Sequence, residues 1–204
     1  TGAGGSIGSE ISRQVVKNDV RKVILLDANE YALYSIKHEI EASNIGAEIF
    51  AVLASVNNKK RITEICKTFR VDTIYHTAAY KHVSLVEENP FEAVFNNIQG
   101  TKICAEAAVQ AEVETFVLIS TDKAVRPTNI MGATKRFSEL VLQSLSLEAQ
   151  TRMIMVRFGN VIGSSGSAIP LFQEQIRSGG PVTVTHPEVI RYFMSIPEAA
   201  ELVI

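Results

Sequence analysis

GAGGSIG, residues Gly2 to Gly8, and KVILLD, residues Lys22 to Asp27, are the two pieces of one stretch from which the fold is read. Gly2, Gly5 and Gly8 recur every three residues, and Ile7 and Ile11 begin an apolar helical face, so the glycines form a turn that opens a helix. Glycine tolerates positive φ and lets a pyrophosphate approach the backbone, where the N–H groups and dipole of the helix N-terminus stabilise it. The apolar strand Lys22 to Leu26 then ends in Asp27, about twenty residues beyond the glycines. A carboxylate at that place accepts hydrogen bonds from an adenosine ribose diol and repels a 2′-phosphate. Its competing role is an ordinary helix N-cap.

Outward from this stretch, strand and helix patterns alternate. Leu33, Ile36 and Ile40 mark a helix, Ile49 to Leu53 a strand, and Ile62, Ile65, Cys66 and Phe69 a second amphipathic helix at positions i, i+3, i+4 and i+7. The strand Thr73 to Tyr75 runs into His76-Thr77-Ala78-Ala79, whose small residues let a flat cofactor lie against backbone, and Tyr80, Lys81 and His82 follow on a loop. His76 and His82 are read as structural before they are read as catalytic. Asn89-Pro90 predicts a capped start to a long helix through Phe91, Val94, Phe95 and Ile98, within which an amide of Asn96 or Asn97 could support the site from behind. Phe116 to Ile119 and Met153 to Phe158 are two further strands. The alternation predicts an α/β fold, a Rossmann-like doubly wound parallel sheet with helices on both faces.

From Gly159 the sequence changes character. GNVIGSSGS, Gly159 to Ser167, is rich in glycine and serine, and four prolines follow. The expected division is a dinucleotide-binding domain over 1–158 and part of a small substrate lobe over 159–204. That lobe is read as a helix around Leu171 to Arg177, a strand Val182 to Thr185, a segment Arg191 to Met194, and a capping box Ser195 to Glu198 that opens a last helix. Thr1 is not an initiator Met, its glycine loop normally hangs from a strand, and Ile204 falls barely two turns into a helix. The expectation is therefore a chain cut at both ends and lacking its first Rossmann strand, central in the order 3-2-1-4-5-6.

Twenty basic and twenty-two acidic side chains nearly cancel, and no basic block suggests a nucleic-acid partner. Cys66 and Cys104 fall at apolar helical positions without metal-ligand or disulfide spacing, and read as buried thiols in a reducing compartment. No apolar run reaches the length of a membrane span, no signal peptide is present, and neither internal repeats nor a candidate metal cluster is found.

The chemistry concentrates in STDKAVRPTNIMGATK, Ser120 to Lys135. A strand delivers Thr121, Asp122 and Lys123 at its carboxyl end, where open parallel sheets bind ligands, and a helix carrying Met131 and Lys135 follows. A polar strand-to-helix turn, with Asp122 capping and Lys123 solvated, explains the same residues without function.

TGAGGSIG, Asp27, HTAA and a strand-end Ser120 followed by a helical Lys135 resemble an extended short-chain dehydrogenase/reductase. AAYKHV (Ala78 to Val83), STDKAVRPTNIMGATKR (Ser120 to Arg136), RFGNVIGSSGSAIPLF (Arg157 to Phe172) and VTVTHPEVIRYFM (Val182 to Met194) resemble more specifically the bacterial nucleotide-sugar 4,6-dehydratases that act on UDP-N-acetylglucosamine in capsule, O-antigen and protein-glycan synthesis. The resemblance covers essentially the whole chain. One position departs from the superfamily's Tyr-x-x-x-Lys: Met131 stands where the Tyr would be, and a thioether cannot shuttle a proton. Larger, membrane-anchored members of the dehydratase group carry that Met as well.

The resemblance implies transient hydride transfer from C4 of a UDP-N-acetylhexosamine to bound NAD, with NADP as the alternative, loss of the C5 proton and the C6 hydroxyl, and return of hydride to C6. It implies catalytic roles for Thr121 at the C4 oxygen, Asp122 as acid at the C6 oxygen, Lys123 as base at C5, and Lys135 on the nicotinamide ribose, with Met131 as a subgroup marker. Gly2, Gly5, Ser6, Ile7, Gly8, Asp27, Ala78, Ala79, Ser120 and Lys135 would bind the cofactor; Lys81, His82, Asn160, Ser164, Ser165, Gly166 and Arg191 would face the substrate; no metal is implied. Burial and mutual proximity are expected to raise the Asp122 pKa and lower that of Lys123. A homo-oligomer, with a cytoplasmic catalytic domain at the inner face of the bacterial membrane and an anchor upstream, is further implied. A C4 epimerase of the same fold would need no proton-transfer pair after the strand and would normally keep the Tyr. A non-catalytic dinucleotide-sensing module could tolerate Met131 but gives no reason for the Thr121-Asp122-Lys123 run.

Overall fold

The structure is a computed structural model and describes residues 1–43, 46–164, 168–184, 186–188 and 190–204. In chain order its elements are α1 (Ser6–Val15), β1 (Lys22–Asp27), α2 (Glu30–Ala42), β2 (Glu48–Leu53), α3 (Lys59–Phe69), β3 (Thr73–His76), α4 (Val83–Glu88), α5 (Pro90–Ala93), a π-helical segment (Val94–Gln99), α6 (Gly100–Gln110), β4 (Thr115–Thr121), a 3₁₀ turn (Asp122–Ala124), α7 (Ile130–Leu145), β5 (Arg152–Phe158), β6 (Asn160–Val161), α8 (Ala168–Arg177), β7 (Phe193–Met194) and α9 (Ile196–Glu201).

Every strand pairing is parallel: β1 with β2, β3 with β4 with β5, and β6 with β7. Parallel strands joined by helical crossovers are covered on both faces, so their residues read as continuous apolar runs. β4 shows this directly. Phe116 and Leu118 pack with α3 and α6 residues such as Ile65 and Cys104, while Val117 and Ile119 pack on the other face with Ile11 of α1 and with Ala200 and Val203 at α9. In β1, Leu26 joins the first of these cores, and Leu25 joins a third, built with Leu33, Ile36 and Ile40 of α2. This is the doubly wound α/β architecture expected from the sequence.

Between β1 and β3 no ladder runs. A slot of about 850 Å³ lies there, lined by both strands and floored by residues such as Ile11, Val15, Ile65 and Phe69. At its carboxyl end Thr1 and Ala3 bridge the two strands, with the Ala3 N–H donating to Leu26 O (3.1 Å) and the Thr77 N–H to Thr1 O (3.2 Å). The parallel sheet thus divides between β1 and β3.

Three local expectations are corrected. Asn89 does not cap α5 with its side chain, which instead donates to Leu85 O at 2.9 Å, and the helix beyond Pro90 is interrupted by the π-helical segment. Residues 182–184 form no strand, because Gln175 of α8 occupies Thr183, accepting from its N–H (3.0 Å) and donating to its hydroxyl (2.8 Å); Thr185 lies outside the described residues. The box at Ser195 and Glu198 is formed as read.

Candidate functional site

The glycine loop is shaped by crowding. A Cβ on Gly8 would stand 2.0 Å from Gly2 O, and one on Gly2, whose φ is +65°, would meet the Ala78 N–H group at 2.8 Å. The loop thereby lies against Thr77-Ala78-Ala79, and the Thr77 hydroxyl donates to Thr1 O at 2.7 Å. Gly5 is the N-cap of α1 and has no side chain with which to accept from the first N–H groups of the helix, where the positive end of its dipole lies. Asp27 does not cap α2; Asn29 does, accepting from the Ala32 N–H. Instead Asp27 Oδ2 accepts from the Gly4 N–H (2.8 Å) and Oδ1 from the Asn29 N–H (2.9 Å), which leaves lone pairs on both oxygens beside the loop. The arrangement suits a diphosphate over the α1 N-terminus and a ribose diol at Asp27.

Across the sheet, β4 delivers Thr121, Asp122 and Lys123. The Thr121 hydroxyl donates to Asp122 Oδ1 (2.9 Å) and accepts from the Lys123 N–H (3.3 Å). Lys123 Nζ donates to Asp122 Oδ1 and to Asn160 Oδ1, both at 3.0 Å, so the turn is joined to the start of β6. The Asp122 side chain is 46% exposed and that of Lys123 26%. The expected upward shift of Asp122 is overturned: burial pushes its pKa up, but the Lys123 ammonium and the Thr121 hydroxyl outweigh that and hold it below the ordinary carboxylate value.

Helix α7 packs on this turn because position 132 is glycine; a Cβ there would lie 2.3 Å from Lys123 O. Asn129 caps the helix, accepting from the Gly132 N–H at 2.8 Å. Met131 is buried against Val86 and Ala93. Lys135 is buried too, and its ammonium makes no hydrogen bond or ion pair among the described residues; burial lowers its pKa to about 8, with Glu139 pulling the other way. The loop carrying Lys81 and His82 is held to α7 by Asn97, buried in the π-helical segment. The Asn97 side chain accepts from the Tyr80 N–H (2.7 Å) and donates to Tyr80 O (2.9 Å) and to the Thr134 hydroxyl (3.0 Å).

Other candidates are placed more plainly. His76 is fully buried, its ring nitrogens paired with the Thr1 and Thr101 hydroxyls, a structural histidine. The Ser120 hydroxyl is engaged by Glu139 at 2.6 Å, and that of Ser164 donates to Val161 O at 3.0 Å. Arg191 is exposed and lies two residues before Phe193, the residue paired with Asn160 in the β6–β7 ladder; the carbonyl of the intervening Tyr192 accepts from the Asn160 N–H at 3.0 Å. Ser165 and Gly166 lie outside the described residues. Glu139 was not singled out in the sequence; the available signal was an acid four residues beyond Lys135, inside an otherwise small and apolar helix face, with Arg157 ending the facing strand.

A family model described as polysaccharide biosynthesis protein matches residues 1–204. The chain belongs to that family. The chain is 58% identical over its whole length to the capsular polysaccharide biosynthesis protein CapD of Staphylococcus aureus and 52% identical to the probable polysaccharide biosynthesis protein EpsC of Bacillus subtilis, and spans 34% of each of them. It is 32% identical to the UDP-glucose 4-epimerase of Rickettsia akari, of which it spans 60%. Among solved structures it is similar to Pen from Bacillus thuringiensis, with a TM-score of 0.92 and 35% identity over 99% of this chain and 62% of that one. It shares its fold with DesIV, a dTDP-glucose 4,6-dehydratase from Streptomyces venezuelae solved with NAD and TYD bound, at TM-score 0.87 and 23% identity over 98% of this chain and 68% of that one. The family member is thus related to enzymes that modify nucleotide sugars. Among the described residues no helix is long and apolar enough to cross a membrane.

Proposed function

We propose that the chain forms the catalytic core of a nucleotide-sugar 4,6-dehydratase that converts UDP-N-acetylglucosamine to its 4-keto-6-deoxy product for bacterial surface polysaccharide, using bound NAD. The observation that carries this reading is the Thr121-Asp122-Lys123 cluster, linked through Lys123 to Asn160, at the carboxyl end of β4. A C4 epimerase removes no C5 proton and expels no C6 oxygen, so it has no use for an adjoining acid and amine beyond the strand-end hydroxyl.

The residues present fit NAD: the crowded glycine loop admits no side chain larger than hydrogen at Gly8, α1 begins at a glycine N-cap whose backbone a diphosphate can approach, and the Asp27 carboxylate favours a ribose diol over a 2′-phosphate. When bound, NAD supplies the acceptor and donor of the hydride. Gly2, Gly5, Ser6, Ile7 and Gly8 would hold its diphosphate, Ala78 and Ala79 would give it a flat wall, and Lys135 would donate to the nicotinamide ribose.

The Thr121 hydroxyl, which donates to Asp122 Oδ1, accepts from the C4 hydroxyl. Asp122 and Lys123 start as an ion pair, the form that water stabilises. Enclosure by the sugar removes that water, and desolvation favours the neutral groups. The Lys123 ammonium gives its proton to the departing solvent, and the proton freed from the C4 hydroxyl as hydride leaves passes through Thr121 to the Asp122 carboxylate. Lys123 then takes the C5 proton, Asp122 gives its own to the C6 hydroxyl, which departs as water, and Lys123 returns a proton to C5 as hydride arrives at C6. Arg191, Asn160 and Lys81 bind the UDP and sugar. Incubating the intact enzyme with UDP-N-acetylglucosamine and separating the products tests the reading. A 4-keto-6-deoxy sugar nucleotide is expected; a C4 epimer assigns the protein to epimerases, and no turnover assigns it to dinucleotide sensing.

A further inference from the structure

Glu139 is a buried carboxylate outside the Thr121-Asp122-Lys123 cluster, with its side chain 1% exposed. Four donors converge on its two oxygens. Oε1 accepts from the Ser120 hydroxyl (2.6 Å) and from Arg157 Nε (2.7 Å); Oε2 accepts from Arg157 Nη2 and from Arg136 Nη1 (3.0 Å). The guanidinium of Arg157 therefore meets it as a two-pronged fork, the geometry that fixes direction as well as distance. Both arginines keep contact with solvent, with side chains 40% and 36% exposed, so only the carboxylate is taken out of water.

The partners sit next to the candidate site in sequence. Ser120 immediately precedes Thr121 at the end of β4; Arg157 is three residues before Asn160, on β5; Glu139 lies one helical turn beyond Lys135 on α7. Asn160 in turn receives Lys123 Nζ. One carboxylate on α7, the helix that carries Lys135, thus joins the end of β4, which carries Thr121 and leads into the Asp122-Lys123 turn, to the end of β5, which leads into Asn160. A buried ion pair contributes little net stability compared with apolar packing, so its use here is better explained by geometry than by energy.

We infer that Glu139 is a positioning residue, which through Ser120 and Arg157 sets the register between the Thr121-Asp122-Lys123 turn, Asn160 and Lys135. Its effect on turnover rests on the dehydratase reading; its effect on the coupling of the two segments does not. Misplacement of a reacting group by about 1 Å lowers turnover by about 10²-fold.

The test uses the intact enzyme with Glu139→Gln and, because an unpaired Arg157 could unfold that variant, also Arg157→Lys, which keeps the charge and loses the fork. Amide hydrogen exchange followed by mass spectrometry is read separately for the segments 119–125 and 158–161 and for β1 and β2. Faster exchange in the first two segments together, with β1 and β2 unchanged, is expected in both variants. Unchanged exchange in the two segments, or a uniform increase across the protein, overturns the inference. Steady-state kinetics should show kcat reduced by about 10²-fold with KM for the nucleotide sugar within a few-fold of wild type; a rise in KM alone also overturns it. If wild type does not turn over UDP-N-acetylglucosamine, the dehydratase reading fails while hydrogen exchange still decides the role of Glu139.

Discussion

Asp122 and Lys123 illustrate how a residue's chemistry depends on what touches it. The sequence places an acid beside an amine but does not say whether they pair; the structure joins them at 3.0 Å and holds Asp122 ionised in the open site. Lys123→Met and Asp122→Asn are each expected to lower turnover by about 10²–10⁴-fold, the span of a general base or acid, with nucleotide-sugar binding nearly unchanged. Steady-state kinetics with a separate binding measurement checks this, and near-normal turnover in both variants moves the proton chemistry elsewhere, His82 first. Lys135 gives a prediction of opposite kind. Its ordinary pKa of 10.5 falls to about 8 in the fold, so below pH 8 the folded state bears a buried ammonium. Between pH 8 and 10.5 the unfolded chain holds a proton that the folded one has released, so this residue's contribution to stability rises with pH. Lys135→Met should therefore raise the free energy of unfolding measured by urea at pH 7, by on the order of 3 kcal/mol at most, and the gain should vanish towards pH 10.5. A gain that does not depend on pH contradicts the account.

The elements themselves were legible in the sequence because each carries a strong period: continuous apolar runs for β4 and β5, and i, i+3, i+4 spacing for α2 and α3. What was not legible depends on partners distant along the chain. The break in the helix beyond Pro90 is one such case. The π-helical segment buries Asn97 against Tyr80 and Thr134, and nothing in VFNNIQ announces which of its two asparagines turns inward. The absent strand at 182–184 is another, since a side chain of α8 takes the hydrogen bonds a neighbouring strand would need. The clustering of Ser120, Glu139 and Arg157 is a third, for those residues come from three elements. Asn97→Ala removes the partner of two part-buried backbone groups at Tyr80 and of the buried Thr134 hydroxyl, which keeps its bond to Met131 O, and a hydrogen bond lost at such groups costs about 1–3 kcal/mol. A loss of at least about 2 kcal/mol is expected on chemical denaturation of the intact enzyme, with faster hydrogen exchange in the Tyr80–His82 loop. An unchanged midpoint would mean that Asn97 does not hold that loop.

At the scale of the molecule, the slot between β1 and β3 leaves two strand edges and apolar walls exposed to water. The polypeptide of these 204 residues alone is expected to bind a hydrophobic dye and to melt without a sharp transition, since an unfilled slot of about 850 Å³ between two unpaired strand edges forfeits packing on the scale of a stability margin of about 5–15 kcal/mol. A cooperative thermal transition from the monomer contradicts that. The most direct measurement follows the C4 hydrogen. UDP-N-acetylglucosamine deuterated at C4 is given to the intact enzyme, and the product is read by NMR. The account predicts deuterium at C6 of a 4-keto-6-deoxy sugar nucleotide, with no reduced cofactor released into solution. Deuterium retained at C4, in the substrate or its epimer, would contradict it.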